Sequence, residues 1–283
     1  MKKWVWTWLL FLLPGLACLA QTVAPTEYVT TREDRKLAGE ILERLRPEAD
    51  RCPVGELAAR AGQMLLGQPY VAGTLEEQPE EILSIYLTRT DCILFVETCL
   101  CLARTARQGG DFEMFAEELR KTRYRDGRVT CYEDRLHYTT EWALQGIERG
   151  VLEDVTEELG GVPCDYPVFY MSSHPDAYPR MRNPEAVLSA EKRINASQRY
   201  YIPKSRIDAA LKGIRTGDIL CLTTTVAGLD VSHVALALVG EDGKVRFIHA
   251  STAAMKVVTD PKPIADYLLG RKSATGLQVY RVR

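Results

Sequence analysis

Apolar positions recur at helical spacing through the first half of the chain. Leu37, Ile41, Leu42 and Leu45 mark a helix over 32–45, and Leu57, Ala61, Met64 and Leu65 mark a second over 54–66; Pro47 and Gly67 end them. Residues 92–106 are apolar almost all round. Ile93, Val96, Leu100 and Ala103 lie on one side and Phe95, Cys99, Leu102 and Ala106 on the other, so this helix is expected inside the fold. Gly109-Gly110 stops it, and 111–122 and 139–149 carry two more amphipathic patterns. The period then changes: 218–224, 232–239, 244–250 and 277–282 read as strands. Between the two regimes, 160–203 is rich in Pro, Tyr, Ser and Asn, has little periodicity, and reads as a loop-rich insertion. Helices first and a mainly antiparallel sheet last predict an α+β fold.

The first twenty residues change the picture, because they read as a secretory leader. Lys2 and Lys3 precede an apolar run over 5–13, Pro14-Gly15 breaks it, and Ala17-Cys18-Leu19-Ala20 supplies small residues for cleavage before Gln21. The run is shorter than the ~20 residues a membrane-spanning helix needs. Gly15-Leu16-Ala17-Cys18 also resembles a lipoprotein box, so release into the periplasm and anchoring through an acylated Cys18 both stand, and both mean export. The expected organisation is a leader over 1–20 and one catalytic domain over 21–283. That domain would have a helical lobe (about 32–150), the insertion (about 160–203) and a sheet lobe (about 216–283). The formal charge of −2 gives no basic patch that would suggest nucleic acid. Beyond Cys18 the cysteines are 52, 92, 99, 101, 131, 164 and 221, an odd number, so at least one thiol has no partner within the chain.

That observation directs attention to Cys92, which follows Asp91 at the start of the apolar helix. A helix N-terminus carries roughly half a positive charge and unpaired N–H groups. Both favour a thiolate, the nucleophilic form, and can hold an oxyanion. A buried structural cysteine behind an ordinary Asp91 N-cap is the competing reading. A nucleophilic thiol needs a base, and the chain has four histidines: 137, 174, 233 and 249. Glu241-Asp242-Gly243 suits a three-residue hairpin loop with Gly243 left-handed, which sets Gly240 opposite Lys244. In that register His233 and His249 share one face as diagonal neighbours at ~7–8 Å, with small Ala235 leaving room between them. His233 then reads as base and His249 as the group that orients it, or as a structural histidine.

Taken together, Asp91-Cys92-x-x-Phe95-Val96, Gly217-Asp218-Ile219-Leu220, His233-Val234-Ala235 and Phe247-Ile248-His249-Ala250 resemble the NlpC-type cell-wall hydrolases. Those are papain-like cysteine enzymes. Ala235 stands where that family usually has glycine, and Ile93-Leu94 where it usually has Ser-Gly. Gly67-Gln68-Pro69-Tyr70 is similar to the family's Pro-Tyr segment, which implies an oxyanion role for Tyr70. The long stretch between Cys92 and His233, Glu97, and the segment containing Arg135, Tyr138 and Trp142 look like the N-acetylmuramoyl-L-alanine amidase-like branch, over most of 55–283.

The resemblance implies hydrolysis of the amide between the lactyl group of N-acetylmuramic acid and L-alanine. Cys92 would be the nucleophile, His233 the base, His249 its orienter and Tyr70 an oxyanion donor. Asp91, Arg135, Tyr138, Trp142 and Ser232 are expected at the substrate. Arg135, Tyr138 and Trp142 also fit a charged and aromatic helix start packed on the core. No cofactor or metal is required, the partners expected are muropeptides, and a monomer is expected. A γ-D-glutamyl endopeptidase would use the same machinery, with Asp91 gripping a free L-alanine amine. A non-catalytic wall-binding protein and a Cys–His lipid acyltransferase are the readings from other classes. A site partly roofed by 160–203 would favour small soluble fragments over intact wall.

Overall fold

In the computed structural model, residues 27–283 are described, so the leader and Cys18 lie outside the described residues. The helical half runs through α1 (Arg32–Leu45), α2 (Val54–Met64), α3 (Cys92–Arg107), α4 (Phe112–Arg123) and α5 (Thr139–Glu148). These fall within a residue or two of the apolar patterns. Three of the starts have a side-chain cap. Thr31 accepts the Asp34 N–H at the start of α1, Asp91 accepts the Leu94 N–H at the start of α3, and Asp111 accepts the Met114 N–H at the start of α4. α3 is buried from Leu94 to Ala103 without a break, as its all-round apolarity requires.

The insertion is not a loop. It contains a single turn, α6 (Tyr170–Ser173), and a thirteen-residue helix, α7 (Pro184–Ala196), followed by the short α8 (Ile207–Ala210); α9 (Ile264–Gly270) comes later. The signals for α7 were in the sequence. Asn183 caps it through the Ala186 N–H, Pro184 takes the first helical position, and Val187, Ala190, Glu191 and Ile194 are buried at i, i+3, i+4 and i+7. The surrounding tyrosines, prolines and serines hid that spacing.

A small parallel pair, β1 (Tyr28–Thr30) with β2 (Leu83–Ile85), brackets α1 and α2. The main sheet is built from β3 (Leu152–Asp154), β4 (Val162–Pro163), β5 (Tyr200–Pro203), β6 (Ile219–Thr224), β7 (Val231–Val239), β8 (Val245–Ser251), β9 (Lys256–Thr259) and β10 (Ala274–Val282). Its order is β4-β5-β10-β6-β7-β8-β9, β3 also pairs with β10, and every pairing is antiparallel. The mixed fold, a helical lobe on an antiparallel sheet, is the one the pattern predicted.

The sheet divides two cores. Val234, Leu236, Ile248 and Ala250 face α1–α5 with Phe95, Val96 and Leu100. Ala235, Ala237, Phe247, Leu220 and Leu222 face α8 and α9. Gly217 is what lets α2 approach. It has a φ of +85°, and a Cβ there would sit 1.9 Å from the Gly55 carbonyl oxygen. Its neighbour Asp218 accepts two hydrogen bonds from the buried Arg281 guanidinium, and also the Arg215 N–H.

Candidate active site

Two short backbone pairings bring Tyr70 to Cys92. Tyr70 bridges Thr90, the Val71 N–H donates to the Thr90 carbonyl, and the Thr90 N–H donates to the Pro69 carbonyl, so the tyrosine stands two residues ahead of the thiol. The segment is also tied to the other lobe. The Tyr70 N–H donates to the Met255 carbonyl and the Gly67 N–H to the Val257 carbonyl. The approach to the nucleophile is set by Asp34 of α1, which accepts the Leu87 and Thr88 N–H groups and the Thr88 hydroxyl, all at 2.7–2.8 Å. Burial alone would raise the Asp34 pKa, but the hydrogen bonds from Thr31, Thr88 and Leu87 outweigh it and hold the carboxyl below its ordinary value.

The hairpin has the register expected from its loop. Gly240 and Lys244 bond across it, Gly243 is left-handed at φ +72°, and Leu236 pairs with Ile248. Pairing of β7 with β8 stops there, so the sheet opens toward Val234 and His233. On the other side Ser232 is a bulge: Leu222 pairs with His233 and Thr223 with Val231. At the opening His233 Nε2 and His249 Nδ1 are 2.6 Å apart, with the rings edge to face. Cys92 lies at the same place. The Val234 N–H, one residue from His233, faces its sulfur, and burial raises the Tyr70 and Tyr267 phenols, with the nearby thiol adding to the rise in both.

The electrostatics oppose a free thiolate. Burial first, and the Asp91 carboxylate second, push the Cys92 thiol up to about 12, against the lowering effect of the Val234, Ile93 and Cys92 N–H groups. His233 is pushed down to about 3 by burial, helped by His249 and Arg271, and His249 to about 4 by burial and Arg271 although Asp260 pulls it up. Burial thus favours the neutral thiol and the neutral form of both imidazoles. The sequence had suggested a helix-dipole thiolate; desolvation outweighs the dipole here.

Cys92, Tyr70, Asp91, His233 and His249 are brought together, and Ser232 lies at the rim, exposed, its hydroxyl donating to the Leu222 carbonyl. Arg135, Tyr138 and Trp142 are buried, the packed arrangement that the sequence also allowed for them. Arg135 is buried and spends its guanidinium on Glu81 at 2.7 Å and Glu76 at 2.6 Å. The Tyr138 hydroxyl donates to Glu191 of α7 and accepts the Met171 N–H, both at 2.7 Å. Trp142 is 2 % exposed, inside the helical core. Tyr138 thereby holds the insertion to the helical lobe, because a hydroxyl taken from water needs such partners. Residues missed in the sequence are Asp260, Tyr267 and Arg271. Asp260 Oδ2 lies 3.4 Å from His249 Nε2, and Tyr267 packs edge-on against Phe247 and His249 beneath Arg271. Reaching Asp260 from sequence required the β8–β9 register, which no turn motif announced.

Among the described residues the seven cysteines are free, no cluster of three or more His, Cys, Asp or Glu side chains is disposed to hold a metal ion, and no helix is long and apolar enough to cross a membrane.

Comparison with known proteins identifies the family. Residues 60–276 match the family model described as AmiA-like, N-acetylmuramoyl-L-alanine amidase-like. A crystal structure of an N-acetylmuramoyl-L-alanine amidase from Bacteroides uniformis is 34% identical, over 81% of this chain and 99% of that one, with a TM-score of 0.76. A structure from Bacteroides fragilis, provisionally named a xylanase, is 35% identical over 78% of this chain and 99% of that one, with a TM-score of 0.71. A Legionella pneumophila protein shares the fold at 20% identity, over 89% of this chain and 97% of that one, with a TM-score of 0.66. No curated protein sequence matches the chain.

Proposed function

The chain belongs to the N-acetylmuramoyl-L-alanine amidase-like family, and from that premise we propose that it is a papain-like cysteine amidase that cuts between the muramoyl lactyl group and L-alanine of peptidoglycan fragments. The observation that carries the reading is the convergence of Cys92, the Val234 N–H, and the His233–His249 pair at one opening of the sheet. His233 takes the thiol proton as the sulfur attacks the lactyl carbonyl. General-base transfer within the step, rather than a preformed ion pair, suits a thiol raised by burial. The backbone N–H groups at the start of α3 and the Tyr70 hydroxyl receive the oxyanion. His233 returns the proton to the departing L-alanine amine, leaving a Cys92 thioester. Water then adds to the thioester, giving the lactyl carboxylic acid and restoring the thiol.

Asp91 serves this chemistry as the cap that fixes the first turn of α3, its Oδ1 accepting the Leu94 N–H at 3.0 Å. A cap of this kind is compatible with the γ-D-glutamyl endopeptidase as well, in which Asp91 would bind a free amine; the family match is what favours the amidase. The xylanase name carried by the Bacteroides fragilis structure does not transfer. Glycoside hydrolysis commonly uses two opposed carboxylic groups, and the groups that converge here are a thiol and imidazoles. The leader read over 1–20 would deliver the enzyme to the periplasm, free or anchored through Cys18, where muropeptides are its partners.

The reading is tested by incubating soluble muramoyl-peptide with the wild type and with Cys92→Ser and His233→Ala, and measuring new free amine on L-alanine. The amine should appear with the wild type and fall at least a thousandfold in both variants. Binding without turnover in the wild type would make the protein a wall-binding module instead.

A further inference from the structure

His249 is 1 % exposed, and its Nε2 makes no hydrogen bond as placed, although the Asp260 carboxylate stands 3.4 Å away. The contact follows from strand register. His249 pairs with Val258 and Ile248 with Thr259, and the Asp260 N–H donates to the Phe247 carbonyl, so Asp260 falls opposite Phe247. Phe247 and His249 lie on one face of β8, which makes Asp260 a diagonal neighbour of His249 just as His249 is of His233. His233, His249 and Asp260 thus follow one another in contact across the open end of the sheet, with the Cys92 sulfur against the neighbouring Val234 N–H. The other groups packed on the pair are Phe247 of β8, Tyr267 of α9 and Arg271 just beyond it.

We propose that Asp260 is a positioning residue that fixes the tautomer of His249 and, through it, the basic nitrogen of His233. A carboxylate only accepts, so it selects the His249 tautomer with the proton on Nε2. His249 Nδ1 is then a lone pair. The proton in the 2.6 Å contact must therefore belong to His233 Nε2. A neutral His233 protonated at Nε2 has its lone pair on Nδ1, the nitrogen left to receive the Cys92 proton. With the opposite His249 tautomer, His233 would carry its proton on Nδ1 and could not act as base. The role rests on the amidase reading above, but the tautomer is a property of the resting protein.

The test is nitrogen NMR of histidine-labelled protein without substrate, combined with kinetics, for the wild type, Asp260→Asn and Asp260→Ala. The wild type should show His249 protonated at Nε2 and His233 at Nε2. Asp260→Asn keeps an acceptor oxygen, so it should preserve both tautomers and at least a third of kcat. In Asp260→Ala the His249 proton should be found at least partly on Nδ1, with kcat down tenfold or more and KM within twofold. The proposal is overturned if the wild type carries the His249 proton on Nδ1, or if Asp260→Ala leaves the tautomers or kcat unchanged. A wild type that turns over no muramoyl-peptide would sink the amidase reading, while the NMR would still decide the role of Asp260.

Discussion

Cys92 sits where two effects oppose each other: a helix N-terminus that favours the thiolate and a desolvated setting beside Asp91 that favours the thiol. Burial wins, and the thiol is raised to about 12. Alkylation of Cys92 by iodoacetamide, followed by peptide mass spectrometry to separate it from exposed Cys131, should therefore keep accelerating above pH 8. A plateau reached below pH 6 would show a stable thiolate–imidazolium pair instead. Asp34 gives a second test. Its carboxyl titrates below the ordinary aspartate value, so its charge stabilises the fold above about pH 4, and that stability is lost as pH falls through the lower folded value. Asp34→Ala should cost about 3 kcal/mol at pH 7 by chemical denaturation, and the deficit should shrink in strong acid. At this scale the sequence pointed to Cys92 by a local signal, its place after a cap, and to Tyr70 by the resemblance of its Pro-Tyr segment. Asp260 was not, because its relation to His249 exists only across a strand pair.

Elements were legible where one periodicity dominated. α1 to α5 and the β7–β8 hairpin follow from apolar spacing and a Gly243 loop, and the hairpin register is what put the two histidines on one face. α7 was missed because its buried stripe of Val187, Ala190, Glu191 and Ile194 is short and includes a glutamate, whose burial is explained by the Tyr138 hydroxyl and the Ser172 N–H that donate to it. Gly217 shows how an element junction can be more demanding than the elements it joins. Gly217→Ala should destabilise by about 2–4 kcal/mol, because it combines a left-handed residue with a backbone contact against Gly55 that cannot yield. A melting temperature within a degree of the wild type would mean that α2 and the sheet start can separate without loss.

Across the whole molecule, buried charge joins parts that sequence reading kept separate. Glu97 and Arg123 pair at 2.8 Å in the helical core, Arg135 holds Glu81 and Glu76, and Arg180 of the insertion reaches Glu76 and Glu81. This network ties the segment after Tyr70 to Arg135, just ahead of α5, and to Arg180 of the insertion, so the chain that follows the tyrosine is held by the residues that seat the insertion. Arg135→Ala should cost about 3–5 kcal/mol by leaving buried Glu81 without its main cation. A substrate-contact role would instead raise KM and leave stability unchanged. These charges appeared in the sequence as an ordinary mixture of Arg and Glu; only the three-dimensional partners separate a core network from a ligand surface.

The central claim is the scissile bond. It is tested most directly by mass spectrometry of a disaccharide-tetrapeptide incubated with the protein, with Cys92→Ala as control. The account predicts free tetrapeptide and free disaccharide, both absent with the variant. A disaccharide still bearing L-Ala-D-Glu would contradict it and make the enzyme an endopeptidase.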